Sequence, residues 1–264
     1  MHVYIYDDFV NGKKHDATRD KLETRITDLG LSGKIIRLGI MKDTFSAVKQ
    51  EIQRGAKTII AVGNNKIVNQ TLNSILHSEK NNANLNIPLG IIPVGEKNNE
   101  IAHSLGINSI EEACDVISAR RIKSLDVGKI ISGQEGAQKE KYFLSQIKIP
   151  SKKTIIEIDK NFSIENLKKG FFSIINLPTE ENTFDSKSSP QDGILELLIA
   201  TSKEKRLLKN KSFNIESIFP FKNITVNSDS QELEINNEYK IKTPFGVSVL
   251  KNKINIIVGK GRRF

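Results

Sequence analysis

Residues 57–106 read KTIIAVGNNKIVNQTLNSILHSEKNNANLNIPLGIIPVGEKNNEIAHSLG, and this stretch holds two strand-to-turn-to-helix crossings in succession. In the first, the apolar run Thr58 to Val62 stops at Gly63-Asn64-Asn65-Lys66, and a helical pattern follows through Val68, Leu72, Ile75 and Leu76. In the second, Ile87 to Val94 stops at Gly95-Glu96-Lys97-Asn98, and Ile101, Ala102 and Leu105 follow at helical spacing. Short continuous apolar runs bounded by Gly and Asn read as strands buried on both faces, as a parallel sheet requires. Such a sheet sets its turns side by side at the carboxyl ends of the strands, where helix N-termini aim free N–H groups into a crevice. An anion, most often a nucleotide phosphate, binds at such a place. Gly63, Asn64, Asn65, Lys66, Gly95, Glu96, Lys97 and Asn98 are therefore the candidate nucleotide-binding residues.

On the N-terminal side the alternation continues. Val3 to Val10 reads as a strand, and Thr18 or Asp20 as the cap of a helix carrying Leu22, Ile26 and Leu29, ended by Gly30 and Gly33. Lys34 to Ile40 reads as a second strand, and Asp43 or Thr44 caps a helix with Phe45, Val48 and Ile52 on one face. Beyond the two crossings a helix spans Ser109 to Ala119, with Cys114 on its apolar stripe as a plain core thiol. Strands alternating with helices of this length imply a doubly wound parallel α/β sheet.

From Ile122 the helical periodicity nearly vanishes. Short β-rich runs replace it: Ser124 to Ile131, Tyr142 to Ile149, Thr154 to Ile158, Phe171 to Leu177, Ile194 to Thr201, Ile215 to Phe219, Asn223 to Val226, Leu233 to Ile235, Gly246 to Leu250 and Lys253 to Val258. Turn residues separate them, the pattern of an antiparallel β-sandwich. The expected organisation is thus an α/β unit over 1–121 and a β-sandwich unit over 122–264, with the last strands returning to the first unit. Residues 133–141 and 179–191 read as polar loops, the second as disordered.

The 264-residue chain carries a formal charge of +9 from dispersed Lys and Arg, with pairs at Lys152-Lys153 and Lys168-Lys169. A field of this sign attracts nucleotides and anionic lipid surfaces, and it equally describes a solvated basic face. Aromatics do not interleave with the basic residues and no zinc spacing occurs, so no nucleic-acid partner is expected. No run approaches the length of a membrane span, and the opening MHVYIYDDFV is no signal peptide. The expected location is the cytoplasm, with room for a peripheral association with membrane. A homodimer is left open.

The two crossings resemble the paired loops of the diacylglycerol kinase catalytic-domain family, which includes bacterial diacylglycerol kinases and sphingosine kinases. That family writes the first loop GGDGT with a Glu soon after, and the second PLGIIPxGTxND before a helix ending near LG. Pro88, Leu89, Gly90, Ile91, Ile92, Pro93, Gly95, Asn98, Ala102, Leu105 and Gly106 match the second frame. Val62, Gly63, Asn64, Asn65 and Lys66 stand in place of GGDGT, Asn69 near the Glu, Glu96 for the Thr and Asn99 for the Asp. Tyr6-Asp7-Asp8-Phe9 stands where the family usually has an NPxSG-like turn. Further on, Leu125-Asp126-Val127-Gly128 resembles the DxG strand opening the family's second domain. Pro190-Gln191-Asp192-Gly193-Ile194-Leu195-Glu196 resembles its DDG-L-E/D segment, with Gln191 for the first Asp. Ile235-Asn236-Asn237-Glu238 resembles its DGE turn, with Asn236 and Asn237 for Asp-Gly.

The resemblance implies an NAD kinase-like and diacylglycerol kinase-like fold, and ATP and Mg²⁺ as cofactors. It also implies Asp192 and Glu238 as catalytic carboxylates, with Asp192 the metal-binding candidate. Each has a plainer reading as a turn residue. Asn64 and Asn65 tolerate positive φ best after Gly, which would preserve the turn. Glu96 reads as a solvated residue at the helix start, a metal ligand, or a salt-bridge partner filling the site; like charges about 4 Å apart near a surface repel by roughly 1–4 kcal/mol. Two functions follow: an ATP-dependent kinase of a diacylglycerol-like lipid hydroxyl, or a non-catalytic relative that binds a nucleotide, a lipid head group or a protein. NAD kinases share a GGDGT-type loop and lack the stretch seen at Pro88 to Gly95.

Overall fold

The computed structural model describes residues 1–39, 43–80, 86–95, 97, 99–133, 137–166, 168–179, 189–202, 213–236 and 239–264. In chain order the first half runs β1 (His2–Tyr6), α1 (Asp16–Asp28), β2 (Gly33–Arg37), α2 (Thr44–Gln53), β3 (Thr58–Gly63), α3 (Asn65–Lys80), β4 (Leu89–Pro93), α4 (Glu100–Ser104) and α5 (Ile110–Ala119). Strands follow: β5 (Ile122–Ser132), β6 (Lys139–Phe143), β7 (Gln146–Pro150), β8 (Thr154–Ile158), β9 (Phe162–Glu165), β10 (Gly170–Ile175) and β11 (Leu195–Ser202). The last are β12 (Phe213–Phe221), β13 (Asn223–Ser228), β14 (Glu232–Ile235), β15 (Tyr239–Lys242) and β16 (Phe245–Ile257). Two compact units result: unit 1 is Met1–Leu125, Thr179–Glu181 and Asn252–Phe264, and unit 2 is Asp126–Pro178 and Asn182–Lys251.

Unit 1 is built on parallel strands in the order β2-β1-β3-β4. Every residue of β3 and β4 is buried, which is why each reads as an uninterrupted apolar run. The register sets Tyr6 beside Val62, and Gly63 beside Pro93, so the carboxyl ends of β1, β3 and β4 finish level. The chain terminus completes this unit. Ile256 at the end of β16 pairs parallel with Leu89, Gly259 N–H donates to Leu105 O at 2.8 Å, and Arg263 N–H donates to Ser104 O at 2.9 Å. Gly106 is required there: a Cβ on it would lie 2.6 Å from Arg262 N.

Unit 2 is antiparallel. One sheet has the order β12-β11-β10-β7, β13 pairs with β16 and β8, β8 with β9, and β14 with β15. Phe172, Ile174, Leu195, Leu197 and Ile199 from the first sheet share one core with Ile156, Ile224, Val226 and Phe245.

Several boundaries differ from expectation. The strand expected over Val3 to Val10 ends at Tyr6, and a 3-10 turn takes Asp8–Asn11. Asn11 fixes that turn, its Nδ2 donating to Leu38 O at 2.9 Å. Helix α1 starts at Asp16 behind His15, so neither Thr18 nor Asp20 caps it. The run Tyr142 to Ile149 is broken at Leu144-Ser145, because Ser145 O accepts from Asn176 N–H at 2.8 Å and Leu144 O from Asn176 Nδ2 at 2.7 Å. The two final runs are one strand, continuous through Asn252 at φ 49°. The polar loop expected over 133–141 already enters β6 at Lys139. Strands β9 and β15 carry too few apolar residues to signal themselves.

Candidate functional site

The candidate site of unit 1 begins where β3 ends. Gly63 has φ 149°, and a Cβ there would lie 2.9 Å from Ile67 Cγ2 and 3.0 Å from Asp7 Cβ, so only Gly fits between α3 and the end of β1. Val62 is not part of the turn; it is an ordinary residue of β3, paired with Ile92. Neither Asn64 nor Asn65 takes positive φ. Their contribution comes through the side chains instead. Asn64 Oδ1 accepts from Lys66 N–H at 3.0 Å, the arrangement of a helix N-cap. Asn65 reaches across to α4, accepting from Ile101 N–H at 3.2 Å while its Nδ2 donates to Glu100. One amide thus ties the two crossings together and occupies a free N–H of the second helix.

The second turn opens with Gly95 at φ 94°, and Val94 N–H donates to Gly63 O at 3.0 Å, which holds the two turns level. Asn99 closes the turn by donating from Nδ2 to Gly95 O at 2.8 Å. Asn99 is 7% exposed, and its Oδ1 has no hydrogen-bond partner among the described residues. Glu96 and Asn98 lie outside the described residues. Helix α4 is five residues long, and Ser109 then caps α5, accepting from Glu112 N–H at 3.1 Å.

Between these elements lies a cavity of about 940 Å³ whose wall includes Asn64, Gly95, Lys97 and Asn99. Phe9, Lys14, His15 and Thr18 form another part of the wall, and His103 and Ser109 a third. Of the sequence candidates, Asn64, Gly95 and Lys97 therefore reach the cavity. Asn65 serves as the brace, and Lys66 is an exposed neighbour on α3. Phe9, Lys14, His15, Thr18, Asn99 and Ser109 were missed. They come from the segment after the first strand and from helix starts; Phe9 and Asn99 stand in the stretches compared with the family's turns, and no spacing in the sequence marks the other four as lining a cavity. The wall carries Lys14 and Lys97 against one carboxylate, Glu111, which is paired with Lys21, a balance suited to an anion. Asp7 stands behind Gly63, and burial pushes its carboxyl above the usual range, opposed by backbone hydrogen bonds and the Lys66 charge.

In unit 2, Asp192 occupies a turn, its Oδ1 accepting from Ile194 N–H at 2.9 Å. The following Gly193, at φ 76°, donates its N–H to Asp126 Oδ2 at 2.6 Å, while Asp126 N–H donates to Pro190 O at 2.7 Å. Asp126 has no solvent exposure, so this carboxylate clamps the turn that carries Asp192. Glu238 lies outside the described residues. Cys114 is buried, and burial pushes its thiol up to about 11, which fits an inert core position. Among the described residues, no group of three His, Cys, Asp or Glu is placed to hold a metal ion, and no helix is long and apolar enough to cross a membrane.

Known proteins share this arrangement. No curated protein matches the sequence significantly. The structure is similar to that of a diacylglycerol kinase from Bacillus anthracis at a TM-score of 0.74 and 17% identity, over 99% of this chain and 97% of that one. A putative diacylglycerol kinase from the same organism gives 0.73 and 18%, over 99% and 98%. An NAD kinase from Archaeoglobus fulgidus in complex with ATP gives 0.56 and 10%, over 99% and 95%. The fold is thus the mixed one expected, a parallel α/β core with NAD kinase-like neighbours followed by antiparallel sheets. Residues 3–130 match the family model of the diacylglycerol kinase catalytic domain, and the two turns at Gly63 and Gly95 both fall within that match.

Proposed function

We propose that unit 1 binds ATP in the cavity under the Gly63 and Gly95 turns, and that the chain passes phosphate to the hydroxyl of a diacylglycerol-like lipid. The observation that carries the nucleotide part is Asn99 Oδ1, buried and without a hydrogen-bond partner among the described residues, on the wall of a cavity that also carries Lys14 and Lys97. A buried amide oxygen left unpaired costs about 1–3 kcal/mol, which a ligand N–H or O–H donor would recover. The dimensions and chemistry of the cavity fit a nucleotide: Asn64 and Lys97 meet the phosphate side, and the missing Cβ at Gly95 leaves the backbone open to close approach. When bound, ATP supplies the γ-phosphoryl group and its Mg²⁺ neutralises the developing charge. Asp192 is the described carboxylate proposed for the metal or the acceptor hydroxyl, while Asp126 positions its turn.

A second reading, a nucleotide-binding relative without transfer, is favoured by Asn65. Its side chain takes a helix N–H that would otherwise be open to phosphate, and neutral amides stand at Asn64, Asn99 and Gln191 where the family has acids. Transfer of labelled phosphate from ATP to diacylglycerol in mixed micelles separates the two. Product formation that falls at least tenfold in Asp192→Asn supports the kinase; binding of ATP with no product above a heat-inactivated control leaves the second reading.

A further inference from the structure

One end of the four-stranded sheet of unit 2 combines exposed apolar side chains with a dense basic rim. There the last residue of β11 pairs with the first of β12, Ser202 with Phe213, and Gly170 at the start of β10 pairs with Thr201. Ser202 N–H donates to Lys169 O at 2.8 Å, and Ser151 N–H to Gly170 O at 3.2 Å, which brings Lys168-Lys169 and Lys152 to the same end. Side chains alternate between sheet faces. Phe172, Leu197 and Ile199 enter the core, whereas Phe171 and Ile218 pack on the opposite face against Leu198 and Ala200. The ring of Phe213 meets Phe171 edge-on at 4.9 Å, extending that apolar face outward. Phe213 remains 42% exposed and Ile215 37%. Lys152, Lys168 and Lys169 are exposed, and Lys148 Nζ lies 5.7 Å from the Phe171 ring centre.

We propose that this sheet end docks onto a bilayer surface containing anionic phospholipid. Phe213 and Ile215 enter the boundary between head groups and acyl chains, and Lys168 and Lys169 meet lipid phosphates. A polyanion such as nucleic acid satisfies the lysines and leaves the aromatic and aliphatic side chains in water; a bilayer satisfies both. The choice of a lipid partner rests on the lipid-kinase reading.

The test is sedimentation of the full chain with vesicles of phosphatidylcholine alone or mixed with phosphatidylglycerol, beside its melting temperature with and without Mg-ATP. The wild type sediments with the mixed vesicles and not with the neutral ones. Each of Lys168→Gln and Lys169→Gln lowers partitioning about fivefold. Phe213→Ser with Ile215→Ser lowers it roughly tenfold at unchanged charge. All four substitutions are at exposed positions, and an unchanged melting temperature shows the variants folded. No sedimentation of the wild type, or an equal one in the Phe213→Ser, Ile215→Ser protein, overturns the bilayer surface; in the second case the contact is with charge alone. Sedimentation without a Mg-ATP shift removes the nucleotide reading and keeps the surface, and a shift without sedimentation does the reverse.

Discussion

Asp126 is a carboxylate with no exposure, and its Oδ2 takes the N–H of Gly193 at 2.6 Å. Asp126→Ala would leave that N–H buried without a partner and free the Asp192 turn. The expected loss is about 2–3 kcal/mol of stability, read as a lower urea midpoint, with loss of any transfer activity. Gly63 is constrained otherwise, by its φ of 149° and by the 2.9 Å approach of Ile67. Gly63→Ala should lower stability by roughly 1–3 kcal/mol and weaken nucleotide binding together, because the same turn serves both. Asp7 gives a pH signature. Burial raises its folded pKa above the unfolded value, so the folded state holds the proton more tightly, and stability is lost as pH rises through the raised value. Asp7→Asn removes that loss: its melting temperature should exceed that of the wild type at neutral pH and converge with it in acid, below the ordinary carboxylate range. A constant difference at all pH values would show that Asp7 does not titrate this way.

Elements with a buried surface and a strong stop were legible, and elements fixed by single side-chain contacts were not. Strands β3 and β4 could be read because burial on both faces makes them continuous apolar runs, and the Gly after each marks the turn. The cap on α2 was legible as well, since Asp43 accepts from Ser46 N–H at 2.9 Å. The end of β1 was hidden: Phe9 and Val10 prolong its apolar pattern, but Asn11 turns the chain by bonding to Leu38 O, a contact 27 residues away. That turn brings Phe9 to the cavity, so this part of the wall escaped notice for the same reason. The brace from Asn65 to α4 escaped because it spans 36 residues and Asn carries no periodic signal. At this scale Ser109 is the testable cap, since α5 carries part of the cavity wall from its first turn. Ser109→Ala should cost about 1 kcal/mol, measured by thermal melting, with nucleotide affinity falling alongside.

For the molecule as a whole, the change of period near Ile122 falls at the start of β5, where strands take over from helices. The fold is similar to that of the Bacillus anthracis diacylglycerol kinase across 99% of the chain at 17% identity, because hydrophobic period and turn placement outlast most changes of sequence. A likeness of fold does not carry an activity with it, so the proposed function has to be tested at the cavity. The measurement that does this most directly is the melting temperature of the full chain with and without saturating Mg-ATP, for the wild type and for Lys97→Glu, which reverses an exposed charge on the cavity wall. A ligand at a hundred times its dissociation constant stabilises the native state by about 2.7 kcal/mol, which raises the midpoint by several degrees. Such a rise is expected in the wild type and a markedly smaller one in Lys97→Glu. No rise in the wild type, or an equal rise in both, would contradict nucleotide binding at this site.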